Sequence, residues 1–159
     1  MKLLKLIPLL FLFAGLFTNQ ALAHTPGKHD TLKVDMVGND QLKFSVTNIE
    51  ARPGQIVQVK LTTESSYPKS AMAHDFVLLT KEADSKKVAQ NCVRYHENGY
   101  IDPDMQKYII AHTGLAGDGE TVSVTFRAPE ETGEYKYICT FPGHFMAGMK
   151  GILSVKASI

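Results

Sequence analysis

Short apolar runs that alternate with polar residues are the feature that most constrains the fold of this chain. In the stretch TVSVTF, the apolar residues Val122, Val124 and Phe126 alternate with threonine and serine. A period of two is typical of a strand with one buried face and one exposed face. Similar runs recur over residues 32–155, with turn residues such as Pro53-Gly54 between them. The pattern predicts an all-β fold, and specifically a β-sandwich.

Seven strands are predicted from these runs, and one longer stretch interrupts them. The strands are expected at 32–36, 44–49, 56–61, 76–79, 122–126, 135–139 and 152–155. Between about 81 and 112 the pattern changes, because residues 83–93 are compatible with a helix of two or three turns. Gly99 and Pro103 then interrupt the helical pattern. We therefore predict a partly helical flap inserted into the sandwich at about 81–112.

The first 23 residues have the pattern of a secretory signal peptide. Two lysines precede an apolar core from Leu6 to Phe17, and Ala21-Leu22-Ala23 is typical of a cleavage site. The apolar core is shorter than the roughly 20 residues that span a bilayer, so stable membrane insertion is not expected. We expect a signal peptide at 1–23 and a single exported domain at 24–159, located in the periplasm.

The charge of the chain argues against a nucleic-acid partner. The sequence has 17 basic and 16 acidic residues, and removal of residues 1–23 leaves 15 basic and 16 acidic residues. The formal net charge of the expected domain is then −1, whereas proteins that bind nucleic acid normally carry a basic patch. No nucleophile–base motif typical of a hydrolase occurs either, and the chain is not expected to be an enzyme.

A group of metal-binding side chains lies near the end of the chain, in the segment ICTFPGHFMAGMKG. Cys139 is followed five residues later by His144, and five residues after that by Met149. Two imidazoles, one thiolate and a weak axial thioether are the donor set of copper sites that transfer electrons. The second imidazole must come from elsewhere, and His74 stands at the start of a predicted buried strand.

The two cysteines are also compatible with a different interpretation. An exported protein with two cysteines can form one disulfide, here between Cys92 and Cys139. Such a disulfide would remove the thiolate from the donor set. A metal site at Cys139 therefore requires Cys92 to be a free thiol.

Four segments of the chain resemble, in order, segments of the azurins, which belong to the cupredoxins. They are VDMVGNDQLKF at 34–44, AMAHDFVLLT at 71–80, PDMQKYIIAHTGLAGDGETVSVTF at 103–126 and CTFPGHFMAGMKG at 139–151. The resemblance implies a Greek-key cupredoxin sandwich with a helical flap and one type 1 copper ion as cofactor. By motif position it implies the following ligands: His74, Cys139 and His144 in the equatorial plane, Met149 on the axis, and the carbonyl of Ala73 as a distant axial oxygen.

The chain departs from the azurin pattern close to these residues. The spacing from His144 to Met149 is one residue longer than in typical azurins and resembles the plastocyanin loop. Met146 is therefore a rival axial donor, although Met149 is preferred because Lys150-Gly151 follows it as in the family. Asp75 replaces an asparagine whose amide is expected to brace the thiolate. An ionised carboxylate cannot donate to sulfur, so Asp75 is expected to use its backbone N–H or to turn away.

The function implied by the resemblance is that of a blue copper electron carrier. Such a protein cycles between Cu(II) and Cu(I), with redox partners such as c-type cytochromes or reductases. The partners are expected to dock at an apolar patch near His144, because electron-transfer interfaces are small and weak. The patch is predicted to comprise Met72, Phe141, Pro142, Phe145 and Met146.

Two other functions compete with electron transfer. The alternative of a carrier or chaperone that delivers copper in the periplasm would be expected to have a more open site, rich in histidine and methionine. A copper oxidase or a nitrite reductase would need further histidine clusters for catalytic copper. The other histidines of the chain form no His-x-His pair.

Overall fold

The strands of the chain form two β-sheets that share one hydrophobic core. The computed structural model describes residues 30–157, so the predicted signal peptide at 1–23 lies outside the described residues. In chain order the strands are β1 (Leu32–Asn39), β2 (Asn48–Ala51), β3 (Ile56–Glu64), β4 (Val77–Leu79), β5 (Ile109–His112), β6 (Thr121–Arg127), β7 (Gly133–Ile138) and β8 (Lys150–Val155).

The order of the strands confirms the predicted Greek-key sandwich. The first sheet has the order β1-β3-β6, and the second has the order β2-β8-β7-β4-β5. Strands β1 and β3 are parallel, as are β2 and β8, and the remaining pairs are antiparallel. Neighbours within a sheet are therefore often distant in sequence, and the chain passes between the two sheets to connect them.

The period of two places the core between the sheets. In β3 the side chains of Val57, Val59 and Leu61 are fully buried, and the polar residues between them face outward. Tyr137 and Leu153 of the second sheet are also fully buried and belong to the same cluster. Burial of alternate side chains from both sheets is what a two-layer sandwich requires.

The flap covers part of the outer face of the second sheet. Its helix α1 (Ser85–Cys92) begins after Asp84, whose carboxylate accepts hydrogen bonds from the backbone N–H groups of Lys86 and Lys87. The buried face of α1 packs against outward-facing apolar residues of β4 and β7; this second cluster includes Val77, Leu79, Val88, Ala89, Cys92 and Ile138. Short 3₁₀ turns follow at His96–Asn98 and Pro103–Tyr108. No described helix is long and apolar enough to span a membrane.

Two predicted boundaries differ from the structure. The flap ends before residue 112, because Ile109–His112 pairs with β4 as the edge strand of the second sheet. The run at 44–49 becomes a strand only from Asn48, since Ser45 folds back onto β1. Its backbone N–H donates to the carbonyl of Val37, and its hydroxyl accepts a hydrogen bond from the N–H of Val37.

Candidate metal centre

Three potential metal donors meet at one end of the sandwich. Their donor atoms, in His74, Cys139 and His144, all lie within 4.8 Å of one another. The two Nδ1 atoms are 3.2 Å apart, and Sγ of Cys139 lies 3.4 Å from Nδ1 of His144. His74 and Cys139 are fully buried and His144 is only 3% exposed. The structure thus brings together residues that are about 70 positions apart in sequence.

The backbone on both sides of His74 is fixed by a short bridge. The N–H of His74 donates to the carbonyl of Ala116, and the N–H of Ala116 donates to the carbonyl of His74, both at 2.9 Å. Ala116 is further held by the hydroxyl of Thr63, which donates to its carbonyl at 2.8 Å. Ala73 is fully buried beside this bridge. His74 is therefore positioned by a backbone that has little freedom to move.

The loop from Cys139 to Met149 is closed by hydrogen bonds between its own donor residues. The N–H of Cys139 donates to the carbonyl of Met149 at 3.2 Å, and the N–H of Met149 donates to the carbonyl of His144 at 3.0 Å. Gly143 and Gly148 have φ angles of 84° and 99°, which other residues rarely adopt. These two glycines allow the chain to turn tightly within the loop, directly before His144 and directly before Met149.

A buried carboxylate joins the two ligand segments. The N–H of Thr140 donates to Oδ1 of Asp75 at 2.7 Å, and the hydroxyl of Thr140 donates to Oδ2. The Asp75 side chain is thus turned toward Thr140. Burial raises the pKa of the Cys139 thiol, and the backbone N–H groups of Asp75 and Phe141 partly oppose that rise. The backbone N–H of Asp75 thus faces the thiol as expected, but the carboxyl group also interacts with the thiol and has not turned away from it. The residue after His74 is thereby tied to the residue after Cys139.

Burial sets the protonation states of the three donors. It lowers the pKa of His74 and that of His144 to about 4, so both imidazoles are neutral at neutral pH. Burial raises the pKa of the Cys139 thiol well above its usual value, and the nearby charge of Asp75 raises it further. The pKa of Asp75 is itself raised by burial. Two neutral imidazoles and one ionisable thiol directed at one point are the donors that copper prefers.

The surroundings of His74 fix the orientation of its ring. Its Nε2 atom is buried near the backbone of Asn39, and Nδ1 is the nitrogen that faces His144. Gly38 lies against both the His74 ring and the Met149 methyl group. A Cβ atom at Gly38 would come within 2.7 Å of His74 Cδ2 and 2.9 Å of Met149 Cε. Met149 is fully buried here, whereas the rival Met146 is 63% exposed.

The disulfide interpretation is wrong. Cys92 and Cys139 are both free thiols, and both are fully buried. Cys92 is the last residue of α1, and its sulfur accepts a hydrogen bond from the N–H of Asp102 at 3.4 Å within the flap. Burial raises the pKa of this thiol, which keeps it protonated.

The predicted docking patch needs one correction and one addition. Phe141 is only 8% exposed and packs in the main core cluster, so it offers little surface to a partner. The sequence analysis missed Val93, which is 40% exposed and lines a shallow groove with Met146 beside the ligand loop. Met72, Pro142 and Phe145 are half-buried and remain candidates for the patch.

Comparisons with known proteins agree with the geometry of this site. Residues 30–156 match the family model of the copper binding proteins of the plastocyanin/azurin family. Azurin from Pseudomonas aeruginosa is 37% identical over 126 residues, which cover 77% of this chain and 84% of that protein. Azurin-1 from Alcaligenes xylosoxydans xylosoxydans is 39% identical over 126 residues, which cover 77% of this chain and 95% of that protein.

A solved structure has the same fold. Auracyanin A, a "blue" copper protein from Chloroflexus aurantiacus, superposes with a TM-score of 0.70 at 31% sequence identity. The match covers 79% of this chain and 99% of that structure. The chain therefore belongs to the copper-binding proteins of the plastocyanin/azurin family, and its fold is that of a cupredoxin. Its cofactor is one type 1 copper ion, which places it among the blue copper electron-transfer proteins.

Proposed function

We propose that the chain is an exported, periplasmic electron carrier that cycles its copper between Cu(II) and Cu(I) and transforms no substrate. The observation that carries this proposal is the convergence of two neutral imidazoles and one thiol within 4.8 Å in a buried site. In the proposal, His74, Cys139 and His144 are the equatorial ligands and Met149 is the axial ligand. The carbonyl of Ala73 is the distant axial oxygen.

The protein contributes to electron transfer by holding these donor atoms in fixed positions. Bound copper supplies a one-electron couple, and a small change in ligand positions between its two states makes the exchange fast. The His74–Ala116 bridge and the Asp75–Thr140 hydrogen bonds hold one ligand segment against the other. The hydrogen bonds within the loop hold His144 and Met149 relative to Cys139. The site is therefore built to resist rearrangement.

The burial of the site also argues against the copper carrier as an alternative. A protein that hands over its metal must let a partner's ligands reach the ion, which favours an open site. Here Cys139 and Met149 are fully buried, and only the edge of His144 reaches the surface. An electron can leave through that edge, whereas a copper ion would have to displace the loop.

The first test is the visible spectrum of the protein with one equivalent of Cu(II). We expect an intense thiolate-to-copper band that ascorbate bleaches and that an oxidant restores over repeated cycles. The Cys139→Ser variant should lack the band entirely, because serine supplies no thiolate. Cys92→Ser is the matched control and should keep the band. Equal, colourless copper binding by the wild type and Cys139→Ser would contradict the proposal and favour a copper carrier.

The second test concerns the docking patch around His144. We expect Met146→Lys to slow electron exchange with a redox partner about tenfold, since a charge must lose its water when the apolar surfaces meet. The copper band should remain unchanged, because Met146 points to solvent. Ser123→Lys, which adds the same charge on β6 in the other sheet, is the control. Equal rates for both variants would show that docking occurs elsewhere.

A further inference from the structure

A second concave surface lies on the outer face of the second sheet, where the flap stops. It is a groove of about 410 Å³ whose lining is mostly apolar. Phe145 of the ligand loop and Ile152 of β8 line it, and Ser85, the first residue of α1, also belongs to its lining. The flap covers the neighbouring apolar residues of β4 and β7, but it leaves this part of the sheet open. The volume is within the range of small-molecule sites.

Two lysines give the groove a positive charge. In the β7–β8 ladder Lys136 lies opposite Ile152, and Lys150 lies opposite Ile138, so the lysines are diagonal neighbours on one face. Like charges placed this close repel each other. Within residues 30–157, neither ammonium group has a carboxylate within 4.0 Å. Glu134, two residues before Lys136 on the same strand, does not line the groove.

The side chains around these charges are suited to a ligand with an apolar body. The Nζ atom of Lys150 lies over the Phe145 ring, 5.6 Å from its centre, so an ammonium group and an aromatic ring are adjacent in the lining. Ser85 is only 6% exposed, and its hydroxyl oxygen is buried without a hydrogen-bond partner among the described residues. The lining of the groove therefore combines apolar surface with two ammonium groups and the Ser85 side chain.

We propose that this groove binds a small amphiphilic anion, that is, an aromatic or aliphatic body with a single carboxylate or sulfonate group. The apolar body would lie against Phe145 and Ile152, and the anionic group would neutralise Lys136 and Lys150. None of these four residues is a proposed copper ligand. Because Phe145 directly follows His144, a bound ligand would lie beside the copper loop without entering the copper site.

The proposal is tested by fluorescence titration of the copper-loaded, ascorbate-reduced protein with 1-anilinonaphthalene-8-sulfonate, an aromatic body with one sulfonate. We expect saturable binding of one molecule per chain. Decanoate should displace the probe, and 1-decanol, which has the same chain without the charge, should displace it at least about tenfold less well. Absence of saturable binding would overturn the proposal. Equal displacement by decanoate and 1-decanol would show that the lysines do not recognise the anionic group, which also contradicts the proposal.

Matched variants locate the site. The double variant Lys136→Gln/Lys150→Gln should bind the probe at least about tenfold more weakly, because it loses two charge-assisted contacts. Thr47→Trp keeps both lysines but fills the groove that Thr47 lines, and it should also abolish binding. Lys33→Gln/Lys60→Gln removes two exposed lysines from the first sheet and should bind normally.

The outcomes separate this groove from the docking patch. If Met146→Lys abolishes probe binding while Thr47→Trp preserves it, the probe binds at the patch and the proposal is wrong. If the two lysine double variants weaken probe binding equally, binding responds only to the net charge of the protein, and this result also contradicts the proposal. The copper band and the thermal midpoint of each variant establish that the variant is folded. The fluorescence readout does not depend on electron transfer, so its failure leaves the proposed function untouched.

Discussion

Copper affinity is expected to rise about tenfold for each pH unit between about pH 5 and pH 8. Burial raises the pKa of the Cys139 thiol well above its usual value, so the metal-free protein carries this thiol protonated over the whole range. Binding as a thiolate must then release one proton. The imidazoles of His74 and His144 release none, because burial lowers the pKa of each to about 4 and they are already neutral.

The measurement is a competition titration against a chelator of known proton affinity at several pH values. Below about pH 4 the slope should steepen, since both imidazoles must then also lose a proton to bind. Cys139→Ser should show no slope between pH 5 and pH 8. A wild-type slope near zero would mean that Cys139 is not a ligand. A slope near two would point to a second proton from Asp75, whose pKa burial also raises, and Asp75→Asn should remove it.

Gly151→Ala is expected to destabilise the metal-free protein by about 3 kcal/mol. Gly151 pairs with Tyr137 across the β7–β8 ladder, and a Cβ atom there would lie 2.2 Å from Cζ and 2.3 Å from the hydroxyl oxygen of Tyr137. The ring is not free to move away. Its hydroxyl donates to the carbonyl of Val46 at 2.8 Å, and its face packs against Phe76 with ring centres 4.9 Å apart.

Urea unfolding of the metal-free variants measures this effect. Gly114→Ala is the control, because a Cβ atom at Gly114 meets no atom within 4 Å and the change should alter the free energy of unfolding by less than about 0.5 kcal/mol. Adding Tyr137→Phe to Gly151→Ala removes one of the clashing atoms. The double variant should therefore lose less free energy of unfolding than the sum of the losses in the two single variants. A Gly151→Ala variant as stable as Gly114→Ala would show that the ring shifts easily.

The sandwich could be predicted from the sequence because its strands have a strong period of two. The limits of the flap could not, since Ile109–His112 is a strand only through its pairing with β4. A stretch of four residues is too short to show an alternation of apolar and polar residues that distinguishes a strand from a loop. The same holds for the run at 44–49, where hydrogen bonds between Ser45 and Val37 determine the backbone conformation.

At the site, residue types and spacing identified the side chains that converge but not their surroundings. Cys139 and His144 are close in sequence, whereas His74 rested on its place at the start of a predicted buried strand and on the resemblance. The burial that neutralises the imidazoles depends on the completed core and cannot be read from a motif. Gly38 and Val93 were missed for the same reason. Gly38 matters because of what packs against it, and Val93 matters because the end of α1 leaves it exposed.

The Asp75–Thr140 contact spans 65 residues of sequence, and the Cys139–Met149 hydrogen bond closes the loop just before the last strand. No local segment of the chain therefore contains a finished site. The donors meet only when β8 has joined the second sheet. We therefore expect copper to bind only after the two sheets have closed on each other. The copper band would then report that the last strand of the sandwich is in place.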